Sequence, residues 1–323
     1  MYKEKILYYL RSSNGVFFSG EELARRCGIS RTMVWKHIKT LEREGFGIEA
    51  VPKLGYRIIL EPDTIRQRDI QSGLKTKVMG KEIHLFPAVA STNILAMEMA
   101  SAGAPEGTVV LAETQTGGKG RLGRKWISPM GNLYVSVILR PDIPIHKAPL
   151  ITLTGAVAVA SAIRKQSDIQ AAIKWPNDIY VSGKKVAGLL TEMSAEQDRI
   201  RHIVLGIGVD VNMELAELPP DVRELTTTLA QEVGARINRT ALLQHVLRDL
   251  EHWYQKFLVA DADVLSEWTK FNMTIGNRVT VSGMGRIQEG LAQGIDSEGR
   301  LLVRHDDGSI HIIAAGDVTI IKK

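Results

Sequence analysis

Residues 116–126 read Thr-Gly-Gly-Lys-Gly-Arg-Leu-Gly-Arg-Lys-Trp: four glycines (Gly117, Gly118, Gly120, Gly123) among four cations (Lys119, Arg121, Arg124, Lys125), closed by Trp126. Glycines let a backbone approach a ligand with its amides exposed, and the cations supply charge for a phosphate or carboxylate. A charge run alone usually marks a solvated loop. The glycine density and the flat indole, which can stack on a nucleobase, favour an anion site instead. No GxxxxGK[ST] occurs, which removes the P-loop. Gly118, Gly120 and Gly123 spell GxGxxG, but turn-rich 126–132 follows where that fingerprint needs a helix, so the match is accidental.

A second dense motif spans Ile173 to Met193, IKWPNDIYVSGKKVAGLLTEM. Lys174-Trp175-Pro176-Asn177-Asp178 forms a turn after a short strand, since proline prevents helix there. Ile179–Val181 and Val186–Leu190 flank Ser182-Gly183-Lys184-Lys185 as a hairpin. Lys185 enters an apolar strand, where a cation needs an anionic partner; otherwise it is the last turn residue, reaching into solvent. Spacing alone does not choose between these. Ile203–Asn212 is a further strand whose two glycines point to close backbone approach, with Asn212 either a ligand contact or a strand-end residue.

These motifs need a scaffold, and the intervening pattern alternates strand and helix. Ile83–Phe86, Val109–Ala112 and Leu133–Leu139 read as strands, the second delivering Gln115 to the glycine loop. Ser91 can cap a helix Thr92–Ala100, and Ile151–Lys165 reads as a buried helix. Residues 221–271 read as helical, with Ala241–Leu258 strongly periodic and Trp253 and Phe257 in its core. From Ile275 onward short strands (278–281, 285–295, 301–304, 310–314, 318–321) separated by glycine turns predict a small β-barrel.

The N-terminus differs in charge. Residues 1–60 hold eleven Lys/Arg against six Asp/Glu, so the whole net charge of +5 resides there; such an excess indicates a polyanionic partner. Ile6, Leu7 and Leu10 lie at helical spacing, Ser19 and Glu22 can form a capping box, and Ser30 can cap a helix Arg31–Glu44 with Val34, Ile38 and Leu41 inside. Helix, glycine-containing turn and longer helix make a helix-turn-helix. Gly47–Val51 and Tyr56–Ile59 add a hairpin, the wing. Ser30, Arg31, Thr32, Lys36 and Lys39, with Lys53 and Arg57 of the wing, are the predicted DNA contacts. A protein-binding role remains the alternative for a winged helix. Glu61-Pro62-Asp63-Thr64 looks like a boundary, where Asp63 or Thr64 can cap the next helix.

Composition excludes other classes. No run of 18 apolar residues occurs and charges interrupt the first apolar segment, so neither a membrane span nor a signal peptide is expected. The single Cys27 leaves no intramolecular disulfide and fits a reducing cytoplasm. The eight histidines lack metal-ligand spacing, and no zinc is predicted.

With both motifs in hand, the chain resembles the bacterial bifunctional biotin–protein ligases that also repress the biotin operon. GGKGRLGRKW resembles that family's GRGRxGRxW loop, and KWPND followed by the KxAG of Lys185–Gly188 matches its second motif; the resemblance runs the whole length. It implies an α+β multidomain architecture: a winged helix-turn-helix (1–62), a central α/β catalytic domain with a mixed, class II synthetase-like sheet (63–273) and an SH3-like barrel (274–323). It further implies formation of biotinyl-5′-AMP from biotin and ATP with magnesium, transfer to a lysine of the biotin carboxyl carrier protein, and repression of biotin biosynthesis and transport genes. Biotinyl-5′-AMP would then be corepressor, promoting a homodimer on a two-fold symmetric operator.

By the same match Lys185 and Arg121 would be catalytic. Ser91, Thr92, Asn93, Gln115, Gly118, Lys119, Gly120, Gly188 and Gly206 would join them around biotin, and Arg124, Trp126, Asn177 and Asn212 would join them around the nucleotide, with Asp178 toward magnesium. Singly, Ser91 also fits a helix cap and Gln115 a turn. Lys119 departs from the family's arginine, which keeps the charge and loses bidentate geometry. Two rivals stay open: a biotin-sensing repressor without ligation, and a lipoate-type ligase.

Overall fold

The computed structural model describes residues 2–13, 15–43, 45–61, 63–283 and 286–321, and groups the chain into two units, Met1–Thr64 and Ile65–Lys323. Glu44, Pro62 and Gly285, to which the sequence assigned a helix end, the boundary and a strand start, lie outside the described residues.

In the first unit α1 (Tyr2–Ser12), α2 (Gly20–Cys27) and α3 (Arg31–Arg43) bury the helically spaced residues Ile6, Leu7, Leu10, Leu23, Cys27, Val34, Ile38 and Leu41 in one core. Ser19 Oγ accepts from Glu21 N at 3.3 Å, and Ser30 Oγ accepts from Met33 N at 3.2 Å. The expected reciprocal box at α2 is absent. Glu22 pairs with Arg25 and Arg26 on its own helix, and those charge-assisted bonds outcompete a bond back to a neutral amide. β1 (Gly47–Val51) and β2 (Gly55–Leu60) pair antiparallel as the wing.

The second unit runs α4 (Gln67–Gly73), β3 (Ile83–Val89), α5 (Thr92–Ser101), β4 (Val109–Gln115), β5 (Leu133–Leu139), α6 (Pro149–Ser167), β6 (Ala172–Lys174), β7 (Asp178–Val181), β8 (Lys184–Glu196) and β9 (Arg199–Val209). It continues with α7 (Pro220–Leu225), α8 (Leu229–Val233), α9 (Arg239–Val259) and α10 (Asp261–Phe271). Helix α4 starts later than expected, with Arg66 rather than Asp63 or Thr64 at its N-cap and no side-chain cap bond. The seven strands form one mixed sheet, β3-β4-β5-β9-β8-β7-β6, in which β3 and β4 are parallel and the other neighbours antiparallel. Alternation sorts its side chains: Val109 and Leu111 join the core of α6 and α9, whereas Val110, Ile138 and Val204 face Ala96 and Ala100 of α5. Helices therefore cover both faces. By length and composition Ile145–Ser167 could cross a membrane, but 67% of its most apolar stretch is buried in this core.

The chain ends in β10 (Arg278–Gly283), β11 (Arg286–Ile295), β12 (Leu301–Arg304), β13 (Ile310–Ile313) and β14 (Asp317–Ile320), an antiparallel sheet of order β13-β12-β11-β10-β14. Its core residues Val279, Val281, Leu301 and Val318 belong to the same hydrophobic cluster as α6 and β8. Trp175 Nε1 donates to Gly299 O at 2.9 Å across that junction. The small sheet is thus packed as a wall of the larger unit.

Candidate active site

Because β3 and β4 are parallel, their C-terminal ends lie side by side and bring Ser91, Thr92 and Gln115 to one edge. Ser91 occupies the α5 N-cap without a cap bond, and it is buried on a cleft wall. Gln115 Oε1 accepts from Thr92 N at 2.8 Å, and its Nε2 donates to Ser128 Oγ at 3.0 Å, so Gln115 ends a strand rather than making a turn. Asn93 donates to Glu192 Oε2 at 2.8 Å and accepts from Ser136 Oγ at 2.6 Å. A Cβ on Gly206 would stand 2.2 Å from Asn93 Oδ1, so Gly206 makes room for that amide.

The opposite wall carries the cations. Loop 116–126 folds on itself through Gly120 N to Arg124 O (2.7 Å) and Trp126 N to Gly118 O (2.9 Å), with one short 3-10 turn, Arg121–Gly123, and no helix after it. Leu122 in that turn is left-handed (φ 56°) and exposed. Among the described residues Arg121 Nη1 reaches only neutral acceptors, Asn177 Oδ1 at 3.2 Å and Gly316 O at 3.3 Å. Burial lowers its pKa, while Asp317 and Asp178 act in the opposite direction. Arg124 pairs with Asp317 at 2.5 Å. Lys185 turns inward: its Nζ lies 2.6 Å from Asp178 Oδ1 and 5.1 Å from the Trp126 ring centre. Lys174 Nζ stands 3.8 Å from the same carboxylate. The indole crosses the sheet where β8 and β9 carry Gly188 and Gly208, and its Nε1 is buried without a hydrogen-bond partner among the described residues.

One cleft of about 450 Å³ is lined by Ser91, Thr92, Asn93, Gln115, Lys119, Gly120, Arg121, Arg124, Trp126, Asn177, Asp178, Lys185, Gly188 and Gly206. Gly118 and Asn212 are not brought to that wall. Gly118 is buried beside Trp126 O and Ser128 Oγ, and the Asn212 amide donates to Ile237 O (2.8 Å) and accepts from Ile237 N (2.9 Å). Sequence reasoning passed over Asp210, which is 4% exposed on the cleft wall and accepts from Asn132 Nδ2 at 3.1 Å. Burial pushes its carboxyl up to about 8, against the pull of Lys185. A signal was present, since alternation places Gly206, Gly208 and Asp210 on one face. Val318 and Thr319 also line the cleft, from a sheet with no local mark of the site.

In the N-terminal unit Arg31, Thr32, Lys36 and Lys53 are exposed. Lys39 pairs with Glu42 at 2.6 Å, and Arg57 pairs with Glu49 at 2.7 Å while lying over Phe17. Ser30 spends its hydroxyl on the α3 cap.

A sheet-floored cleft with amides and hydroxyls at one end and converging cations beside an indole at the other suits joining a carboxylate to a nucleotide. Together with the helix-turn-helix unit, it defines a nucleotide-dependent carboxylate ligase with a DNA-binding unit. Residues 3–57 match the HTH domain family, 85–210 the Biotin/lipoate A/B protein ligase family and 274–320 the Biotin protein ligase C terminal domain. The Bifunctional ligase/repressor BirA of Bacillus subtilis is 39% identical over 97% of each chain. That of Escherichia coli is 31% identical, covering 95% of this chain and 94% of its own. The structure of biotin protein ligase from Aquifex aeolicus in complex with biotin and ATP superposes with a TM-score of 0.65 at 28% identity, covering 75% of this chain and 100% of that one. The chain belongs to the bifunctional biotin–protein ligase and repressor family, as a ligase that uses biotin and ATP and as a DNA-binding repressor.

Proposed function

We propose that Lys185 and Arg121 hold together the two anions joined in the first half-reaction. A biotin carboxylate oxygen attacks the α-phosphorus of ATP, the bond to the bridging oxygen of the β-phosphate breaks, and pyrophosphate leaves. The amine of an acceptor lysine then attacks the acyl carbon, loses a proton and releases AMP. Both partners of the first step are negative, so their approach needs fixed positive charge in a site sheltered from water. The observation that carries the reading is the inward ion pair of Lys185 and Asp178 in the cleft. A carboxylate and phosphate entering there take over Lys185, while Arg121, held only by neutral acceptors, is available to them. Magnesium arrives with ATP as substrate, and Asp178 is the hard oxygen ligand beside it.

In this reading Ser91, Thr92 and Gln115 receive the neutral ureido head, and Asn93 with Gly206 shapes its pocket. Lys119 offers its backbone amide, and Gly120, whose own amide is spent on Arg124 O, gives room together with Gly188. Arg124, Trp126 and Asn177 meet the nucleotide, while Gly118 and Asn212 support the loop and the strand end from behind. Single-turnover formation of biotinyl-5′-AMP tests the assignment: Lys185→Ala and Arg121→Ala should each slow it by roughly 10²–10³-fold. Rates within threefold of wild type would overturn it.

The acceptor is a biotin carboxyl carrier protein in the cytoplasm, and the domains divide at 62 and 273. Biotinyl-5′-AMP promotes a homodimer on a two-fold symmetric operator, because ligand that orders the cleft loops favours whichever assembly needs them ordered. The HTH domain match over residues 3–57 supports this half of the reading. A monomeric or biotin-independent footprint would sink it.

A further inference from the structure

One exposed side chain of α3 has no role among the cations around it. Trp35 is 50% exposed, although Val34, Ile38 and Leu41 already fill the inner stripe of the helix at 1% exposure or less. Arg31, Trp35 and Lys39 follow at four-residue intervals and so share one helix face. With Pro52 and Lys53 of the wing they line a groove of about 350 Å³. Lys39 is engaged by Glu42, whereas Arg31 and Lys53 are exposed and make no ion pair among the described residues. Lys53 is left-handed (φ 69°) at the wing tip. Two free cations thus bracket a large apolar surface that folding does not use, on the helix of a helix-turn-helix that enters the major groove.

The charges select a duplex as the occupant, and the indole selects what it meets there. On the major-groove edges of the base pairs the apolar group is the C5 methyl of thymine. We propose that Trp35 reads thymine through that methyl while Arg31 and Lys53 hold the flanking phosphates, so that each operator half-site requires a thymine opposite Trp35. The proposal rests on the repressor reading and adds a base-specific contact to it. Phosphate contacts set affinity and salt dependence without distinguishing sequences; Trp35 supplies discrimination.

The test uses the full chain with biotin and magnesium ATP. Duplexes enriched from a random pool are measured by fluorescence anisotropy against wild type, Trp35→Ala and Trp35→Phe. In parallel, thymines of the enriched duplex are replaced one at a time by deoxyuridine, which lacks only the methyl. Wild type should lose about three- to tenfold affinity at one or two such positions. Trp35→Ala should bind the thymine duplex about tenfold more weakly and be indifferent to those replacements, with the slope of affinity against salt unchanged. Trp35→Phe should retain part of the discrimination. Biotinylation by both variants should match wild type, which shows that the chains are folded. Equal binding of thymine and deoxyuridine duplexes by wild type, or the same ratio in Trp35→Ala, would overturn the proposal while leaving DNA binding intact. Failure to enrich any duplex would overturn both.

Discussion

The indole of Trp126 lies across Gly208 so closely that a Cβ on that glycine would stand 2.7 Å from the ring. Gly188 on the neighbouring strand leaves similar room, at 3.0 Å. The flat surface inferred from the loop sequence therefore exists because two strands omit their side chains beneath it. Gly208→Ala should push the indole off the sheet, raise KM for ATP at least about tenfold and shift tryptophan emission, with a smaller effect on KM for biotin. Unchanged ATP kinetics would remove Trp126 from the nucleotide's path.

Arg124 and Asp317 tie the glycine loop to the C-terminal sheet, but the pair is largely open to solvent, at 60% and 34% side-chain exposure. Such pairs contribute about 0–1 kcal/mol. Asp317→Ala should thus change adenylation less than about fivefold, yet make loop 116–126 more readily cut by trypsin without ligand. A loss of activity comparable to that of Arg121→Ala would mean that the tie holds the site together.

Lys119 lines the cleft, but its backbone bridges to Lys125 and its side chain is exposed. If only the amide serves, Lys119→Arg should leave KM for biotin within about threefold. A much larger gain in affinity would show that the missing guanidinium limits this chain.

Asp210 gives a pH signature. Its folded pKa, about 8, lies above the ordinary carboxylate value, so its stabilising contribution is fully present below about pH 4 and is lost as pH rises through about 8. Asp210→Asn keeps an acceptor for Asn132 and removes the titration. Melting temperature of wild type relative to this variant should fall by roughly 3–6 °C between pH 6 and pH 9. Parallel profiles would contradict a buried, proton-holding Asp210.

Local pattern made much of the scaffold legible. Leu133–Leu139 is a strand with both ends as expected, because a glycine turn precedes a run that is apolar but for Ser136 and buried on both faces. Ser30 and the three N-terminal helices followed from cap chemistry and helical spacing. What failed was competition or distance. The Ser19–Glu22 box lost to arginines three and four residues away, and Asn212 is taken by the Ile237 backbone, 25 residues on. Arg121 meets Gly316 across 195 residues, which no local pattern announces. Asp210 was readable from strand alternation, but its burial was not.

The most direct measurement is pyrophosphate release by the purified chain with ATP and magnesium, with and without biotin, alongside mass detection of what stays bound. The account predicts release that depends on biotin, with biotinyl-5′-AMP retained by the protein and passed to a carrier-protein lysine on mixing. Biotin binding without release would contradict a working ligase and leave a biotin-sensing repressor; release with lipoate in place of biotin would assign the cleft to the other substrate.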